Sequence, residues 1–200
     1  IIAGGLNAKA VVYPIAEGSS PATRLTNWAV LVRIGDGSSP PPRREDWSRL
    51  GSREELMPHV AGFSIPQVDF AGLIRATPEF WEYPCCDRDP LPYWSSGRVT
   101  LLGDAAHPML QYLAQGACMA TEDAVILAEK VAETPDDLPK AFKAYEQQRY
   151  LRTAQVQIMA RVYGEFYHAR GVTAELRDRM LSGRTPQQGI EGMAWLYGGP

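Results

Sequence analysis

The stretch that most constrains this chain of 200 residues runs from Gly97 to Ala124 and reads GRVTLLGDAAHPMLQYLAQGACMATEDA. Its short apolar run, RVTLL, predicts a strand buried on both faces. A Gly-Asp pair follows, and two alanines separate that pair from His107 and Pro108. From Gln115 to Glu133 small or apolar residues recur at helical spacing. The stretch therefore predicts a strand, a tight turn and a helix.

The turn carries an acid that needs partners. Gly103 has no Cβ, so a bulky group can approach the backbone there. Asp104 follows a predicted buried strand, where a carboxylate requires hydrogen-bond donors. Gly116 begins the predicted helix, whose free N–H groups and positive dipole end favour a partly anionic acceptor. An elongated ligand with hydroxyls near Asp104 and an anionic end near Gly116 satisfies both positions, and a flavin has this form.

The rest of the chain is predicted to be β-rich first and helical afterwards. Strands are predicted at Ile1-Ile2, in KAVVYPI with Pro14 as its end, and from Thr23 to Ile34. Short helices are predicted from Ser52, with a capping box to Glu55, and in PQVDFAGLIRATP. A long helix is predicted from Leu138 to about His168, followed by one or two short helices.

Two arginines interrupt the apolar face of the long helix. Arg149 and Arg152 are three residues apart and share that face. Buried guanidinium groups keep their charge and must be paired. We predict that at least one of them bonds Glu122, Asp123 or a backbone carbonyl of the preceding helix. The alternative is that both arginines reach solvent.

Composition narrows the classes of partner. The net charge is −3, so no excess of basic residues favours nucleic acid or an acidic membrane surface. No apolar run approaches the ~18 residues of a membrane span. Three cysteines, two of them adjacent, match neither a disulfide framework nor a metal site, and indicate a reduced, cytoplasmic protein. The chain begins without Met in a predicted strand, so we expect a fragment.

The Gly97–Ala124 stretch resembles the second FAD-binding motif of the single-component aromatic-ring hydroxylases, flavoprotein monooxygenases like para-hydroxybenzoate hydroxylase. The upstream residues YPCCDRDPLPYWSS are similar to the salicylate and phenazine-carboxylate hydroxylase branch. HPMLQYLAQGA is more similar to the 3-hydroxybenzoate 6-hydroxylase branch. The resemblance covers roughly Lys9 to Arg152.

This resemblance implies an α+β fold that is only the C-terminal half of such an enzyme. Nothing in the chain matches the G-x-G-x-x-G of the family's N-terminal Rossmann unit. Residues 1–95 would form part of the substrate-binding β-sheet domain, 96–135 the FAD-binding Gly-Asp segment, and 136–200 the C-terminal helices. The missing N-terminal half of the same enzyme is then an implied partner.

The resemblance also implies roles for particular residues. Gly103 and Asp104 match the Gly-Asp pair, whose acid binds the ribityl chain of FAD. The helix start, Gly116, Ala117 and Cys118, matches the backbone that faces the flavin pyrimidine edge. Pro108 and Gln111 match the loop over the flavin ring.

On the substrate side, Gln111 and Tyr13 match positions of the 3-hydroxybenzoate branch. Lys9 stands where that branch has a histidine; it faces solvent or pairs with a substrate carboxylate. We expect His107 to pack and hydrogen-bond locally rather than act as a base.

In the implied reaction, the cofactor carries out the chemistry. NAD(P)H reduces the flavin, dioxygen adds to give a C4a-hydroperoxide, and its distal oxygen is transferred to a small aromatic substrate. Two alternatives remain: a truncated, non-catalytic module that binds a ligand or partner, and a related flavin epoxidase or reductase.

Overall fold

The computed structural model describes residues 1–5, 7–20, 23–35 and 43–199. Two compact units are present. The first comprises Ile1–Pro84 with Tyr167–Glu175, and the second Cys85–Phe166 with Leu176–Pro200. The division into 1–95, 96–135 and 136–200 stays a prediction.

The first unit is built on an antiparallel sheet of three strands in the order β1-β2-β3. These are β1 (Ile2–Gly4), β2 (Ala8–Ala16) and β3 (Leu25–Val32). Strand β2 continues past Pro14, which was predicted to end it. Proline lacks the N–H that a ladder needs, and the pairing with β3 becomes irregular between Pro14 and Ala16.

Two short helices pack with one face of this sheet. Helix α1 spans Arg53–Val60 and α2 spans Phe70–Ala76. Alternate β2 residues point into the shared core, which consists of Ala8, Ala10, Val12, Val60, Ile65, Phe70 and Ile74. Ser52 accepts the N–H of Glu55, as predicted. The capping box is not completed, however, because the Glu55 carboxylate bonds Arg43 and Arg49.

The second unit is mainly helical. It contains β4 (Ser95–Ser96), β5 (Val99–Thr100) and α3 (Gly116–Glu133). It also contains α4 (Leu138–Tyr167) up to Phe166, the end of α5 (Gly171–Ser182) from Leu176, α6 (Pro186–Glu191) and α7 (Ala194–Tyr197). The bounds predicted for the two long helices, α3 and α4, are confirmed almost to the residue. Within the described part of the chain, no helix is both long and apolar enough to cross a membrane.

The prediction of a fully buried strand in RVTLL is wrong. Only Val99 and Thr100 pair, with Ser95 and Ser96, and Val99 is 67% exposed. Gly97, at φ +56°, lies in the left-handed region and closes a tight two-residue turn between these strands. The apolar run is therefore one side of a short hairpin at the surface.

Candidate functional site

The Gly-Asp turn is a single 3-10 turn, Gly103–Ala105, between β5 and α3. Gly103 has φ +60°, which other residues rarely adopt. A Cβ placed on it would lie 3.2 Å from the Cβ of Ala120 on α3. Its N–H donates to Asp123 Oδ2 at 3.1 Å. Glycine is needed here both for the backbone conformation and for the close approach of the turn to α3.

Asp104 lies at the surface beside the start of α3. It is exposed, and its Oδ1 lies 3.9 Å from the position that a Cβ on Gly116 would occupy. Among the described residues, no side chain or N–H donates to this carboxylate. The sequence placed Asp104 at the end of a buried strand, where protein donors would be required. The structure instead leaves its acceptor capacity open.

The start of α3 has donors that face the same region. Gln115 occupies the cap position but its side chain caps nothing, and the first α3 bond runs from the Met119 N–H to the Gln115 carbonyl. The N–H groups of Gly116, Ala117 and Cys118 find no acceptor in the described part of the chain. Helix starts of this kind attract anionic groups. An acceptor for hydroxyls and a row of free N–H donors together fit the ribityl chain and the pyrimidine edge of a flavin.

A second acid on the same stretch has the opposite character. Asp123 on α3 is fully buried. Its carboxylate accepts from Gly103 N, from His107 Nε2 at 2.5 Å and from Arg149 Nε at 2.7 Å. Burial alone would raise the pKa of Asp123, but the hydrogen bonds from His107 and Arg149 outweigh it and the pKa is lowered. One carboxylate thus joins both ends of the Gly103–His107 turn to α4.

The predicted pairing of the interrupting arginines is confirmed. Arg149 donates to Asp123 and, through Nη1, to Glu122 Oε2 at 2.6 Å. Arg152 donates to both oxygens of Glu122 at 2.7 Å and to the Trp195 and Leu196 carbonyls. The bonds from Arg152 and Arg149 keep the pKa of Glu122 below its ordinary value. Helices α3 and α4 are therefore held together by charged groups.

His107 packs locally, as expected. Its ring is fully buried, lies 5.4 Å from the ring of Trp94, and bonds Asp123. Sequence reasoning found Asp123 only as a partner for the arginines and missed its bonds to the turn. Its position gave a usable signal, because Met119, Asp123 and Ile126 fall on one buried helix face. An acid inside an apolar stripe must be hydrogen-bonded.

The other predicted site residues are divided between the two units. Pro108 is half-buried, and its carbonyl accepts from Gln157 Nε2 at 3.0 Å. Gln111 is exposed and begins a second 3-10 turn, Gln111–Leu113. Tyr13 lies on β2 of the first unit and is 47% exposed. The roles of these three residues stay predictions.

Lys9 corrects one expectation. It is only 3% exposed, and its ammonium lies 4.4 Å from the centre of the Tyr167 ring, so it does not face solvent. Tyr167 is distant in sequence, and its ring lies against the Lys9 side chain. Pairing with a substrate carboxylate stays a prediction. In the described ranges, no group of three or more potential metal ligands is found.

Comparison with known proteins identifies relatives of this chain. Residues 90–160 match the protein family described as FAD binding domain. The chain is 46% identical over 149 residues to 3-hydroxybenzoate 6-hydroxylase of Polaromonas naphthalenivorans (strain CJ2), an alignment that covers 74% of this chain and 36% of that enzyme. The chain is homologous to part of the FAD-dependent aromatic hydroxylases. The resemblance stated from the Gly-Asp stretch is therefore confirmed.

Two solved structures support the fold. The structure titled salicylate hydroxylase substrate complex matches all of this chain and 46% of its own, with a TM-score of 0.74 and 25% identity. Klebsiella pneumoniae HpxO complexed with FAD and uric acid matches all of this chain and 48% of its own, with a TM-score of 0.72 and 25% identity. The mixed helix and sheet fold is confirmed, and the chain spans less than half the length of these relatives.

Proposed function

We propose that this chain is the part of an FAD-dependent aromatic monooxygenase that holds the ribityl and pyrimidine portions of the flavin. FAD, when bound and reduced by NAD(P)H, supplies the activation of dioxygen needed to hydroxylate an aromatic ring. The part of the enzyme that binds the remainder of FAD would lie outside these 200 residues. A reduced, cytoplasmic location is part of the proposal, supported by three cysteines that form no disulfide within the described residues.

The open carboxylate of Asp104 beside the uncapped start of α3 carries the proposal. Asp104 would accept hydrogen bonds from ribityl hydroxyls. The N–H groups of Gly116, Ala117 and Cys118 would face the flavin edge that becomes negative on reduction. Gly103 lets the turn approach α3 closely enough to bring these groups together. Asp123 and Arg149 hold the turn and both helices in place, so the donors and acceptor are preorganised.

The proposed substrate is a small phenolic or carboxylated aromatic. The similarity to an enzyme named 3-hydroxybenzoate 6-hydroxylase supports this class. Gln111 would hydrogen-bond the substrate from the loop after Pro108. Tyr13, on β2 of the first unit, stays a separate substrate-side candidate. The remaining task of the protein is to orient the ring and exclude water.

FAD affinity of an Asp104→Ala variant tests the proposal. The experiment uses the full-length protein, the complete product of the reading frame that encodes this chain. Loss of a hydrogen bond to a charged group costs about 1.5–3 kcal/mol, so we expect the Kd for FAD to rise about 10- to 100-fold. Asp136→Ala is the matched control, because Asp136 is also an exposed acid and lies beyond the opposite end of α3. An unchanged Kd in Asp104→Ala would exclude the ribityl role.

Turnover separates the alternatives. NAD(P)H oxidation coupled to hydroxylation of a phenolic acid identifies a monooxygenase. Flavin reduction with only peroxide formation across a panel of phenols favours a related reductase or epoxidase. Absence of FAD binding in the full-length protein favours a non-catalytic module.

A further inference from the structure

A buried amide on α4 reaches the loop after the Gly-Asp turn. Gln157 is 1% exposed. Its Nε2 donates to the Pro108 carbonyl at 3.0 Å and to the Arg88 carbonyl at 3.2 Å. A side-chain amide nitrogen carries two hydrogens, so the two carbonyls together use its full donor capacity.

The bond to Pro108 matters because proline has no N–H. Its carbonyl is the one backbone group through which Pro108 can be held by a hydrogen bond. Asp123 fixes the preceding turn through Gly103 and His107. Beyond His107, Gln157 is the side chain that ties Pro108 to α4.

We propose that Gln157 is a positioning residue that fixes the position of the Pro108 loop relative to the flavin ring. This inference rests on the proposed function, because the flavin-facing role of Pro108 is part of it. Gln157 touches neither cofactor nor substrate in this assignment. It acts through the Pro108 carbonyl. The same amide also binds the 87–89 segment, through the Arg88 carbonyl.

A second residue on α4, Arg161, allows effects on the 87–89 segment to be distinguished from effects on the Pro108 loop. Arg161 lies four residues after Gln157 on the same face of α4. It donates to Asp87 Oδ2 at 2.5 Å and to Asp89 Oδ1 at 2.8 Å. Arg161→Met therefore removes the two ion pairs of the 87–89 segment but leaves both bonds of Gln157, to Arg88 and to Pro108, intact. This makes it the matched control for Gln157→Met.

The experiment compares the full-length wild type, Gln157→Met and Arg161→Met by FAD titration and by the visible absorption bands of bound FAD. We expect the Kd for FAD in Gln157→Met to rise about three- to tenfold, as for loss of a neutral hydrogen bond, with shifted flavin bands. Arg161→Met should retain the affinity and the spectrum of the wild type. The melting temperature of each protein without FAD shows that both variants are folded.

Each other outcome has a separate meaning. A wild type that does not bind FAD refutes the proposed function itself. A wild-type affinity and spectrum in Gln157→Met, with FAD bound, refutes only the positioning role. Equal changes in both variants assign the effect to the 87–89 segment and overturn the role at Pro108. If Gln157→Met does not fold, Gln157→Asn replaces it, because its amide is one methylene shorter and falls short of Pro108.

Discussion

Arg149, Arg152, Glu122 and Asp123 form the ion-pair cluster that joins α3 to α4. Replacing Arg149 by methionine should destabilise the second unit more than replacing Arg152. Arg149 is fully buried and donates to Asp123, Glu122 and the Met119 carbonyl. Asp123 is also fully buried, so the variant leaves a carboxylate without its cationic partner. Removing one partner of a buried ion pair costs about 3–5 kcal/mol. That is a large part of the ~5–15 kcal/mol by which a folded domain is stable.

Arg152→Met provides the internal comparison. Arg152 is partly exposed, and Glu122 keeps its bond from Arg149 when Arg152 is removed. The expected cost is about 1.5–3 kcal/mol, as for hydrogen bonds to charged groups. Adding Asp123→Asn to Arg149→Met removes the unpaired charge, so the double variant should be more stable than the sum of the single effects implies.

Urea unfolding followed by circular dichroism measures these free energies. If the unfolding free energy falls with urea concentration at the same slope in all variants, the surface exposed on unfolding is unchanged. The reasoning is refuted if Arg149→Met lies within about 1 kcal/mol of the wild type, since the buried-pair cost would then be absent. It is also refuted if Arg152→Met is the more damaging change, or if Asp123→Asn and Arg149→Met are simply additive.

Three further predictions concern Glu122, the two turn glycines and the isolated chain. Because its folded pKa is depressed, chiefly by Arg152, Glu122 stabilises the fold above its ordinary value of 4.5 and loses that effect as the pH falls through the folded pKa. The unfolding free energies of wild type and Glu122→Gln should therefore differ at neutral pH and converge in acid; a pH-independent difference would contradict this. Gly103→Ala should lower the unfolding free energy by about 1–2 kcal/mol for its positive φ, and further through the close contact with Ala120. Gly97→Ala has open space around it and should lose only the contribution of backbone strain. Equal losses of stability in the two variants would exclude the packing role of Gly103. The 200-residue chain alone should bind FAD weakly in equilibrium dialysis, because it has no G-x-G-x-x-G; tight stoichiometric binding would disprove this.

The long helices could be predicted because their pattern repeats over many turns. Helix α3 has 18 residues and α4 has 30, so small departures at single positions do not hide the helical period. The five-residue run RVTLL is too short for such averaging. An apolar run of that length is compatible with a buried strand, but here Gly97 turns it into a surface hairpin.

The environment of Lys9 could not be predicted for a different reason. Its burial depends on Tyr167, which is 158 positions away in the sequence and belongs to the same compact unit. A lysine on a strand with alternating pattern is most often solvated. Local pattern says which side of β2 carries Lys9, but only the long-range fold determines what covers that side.

The two acids of the Gly-Asp stretch show what structure adds to a motif. The sequence presents Asp104 and Asp123 as comparable carboxylates, one after a turn and one on a helix. In the structure Asp123 is buried and accepts from three groups, whereas Asp104 is exposed with no donor among the described residues. A saturated buried acid ties the fold together. The exposed acid beside free N–H groups is the one that we propose for the flavin. Loss of Asp123 should therefore be measured first in unfolding, and loss of Asp104 in FAD affinity with the stability unchanged.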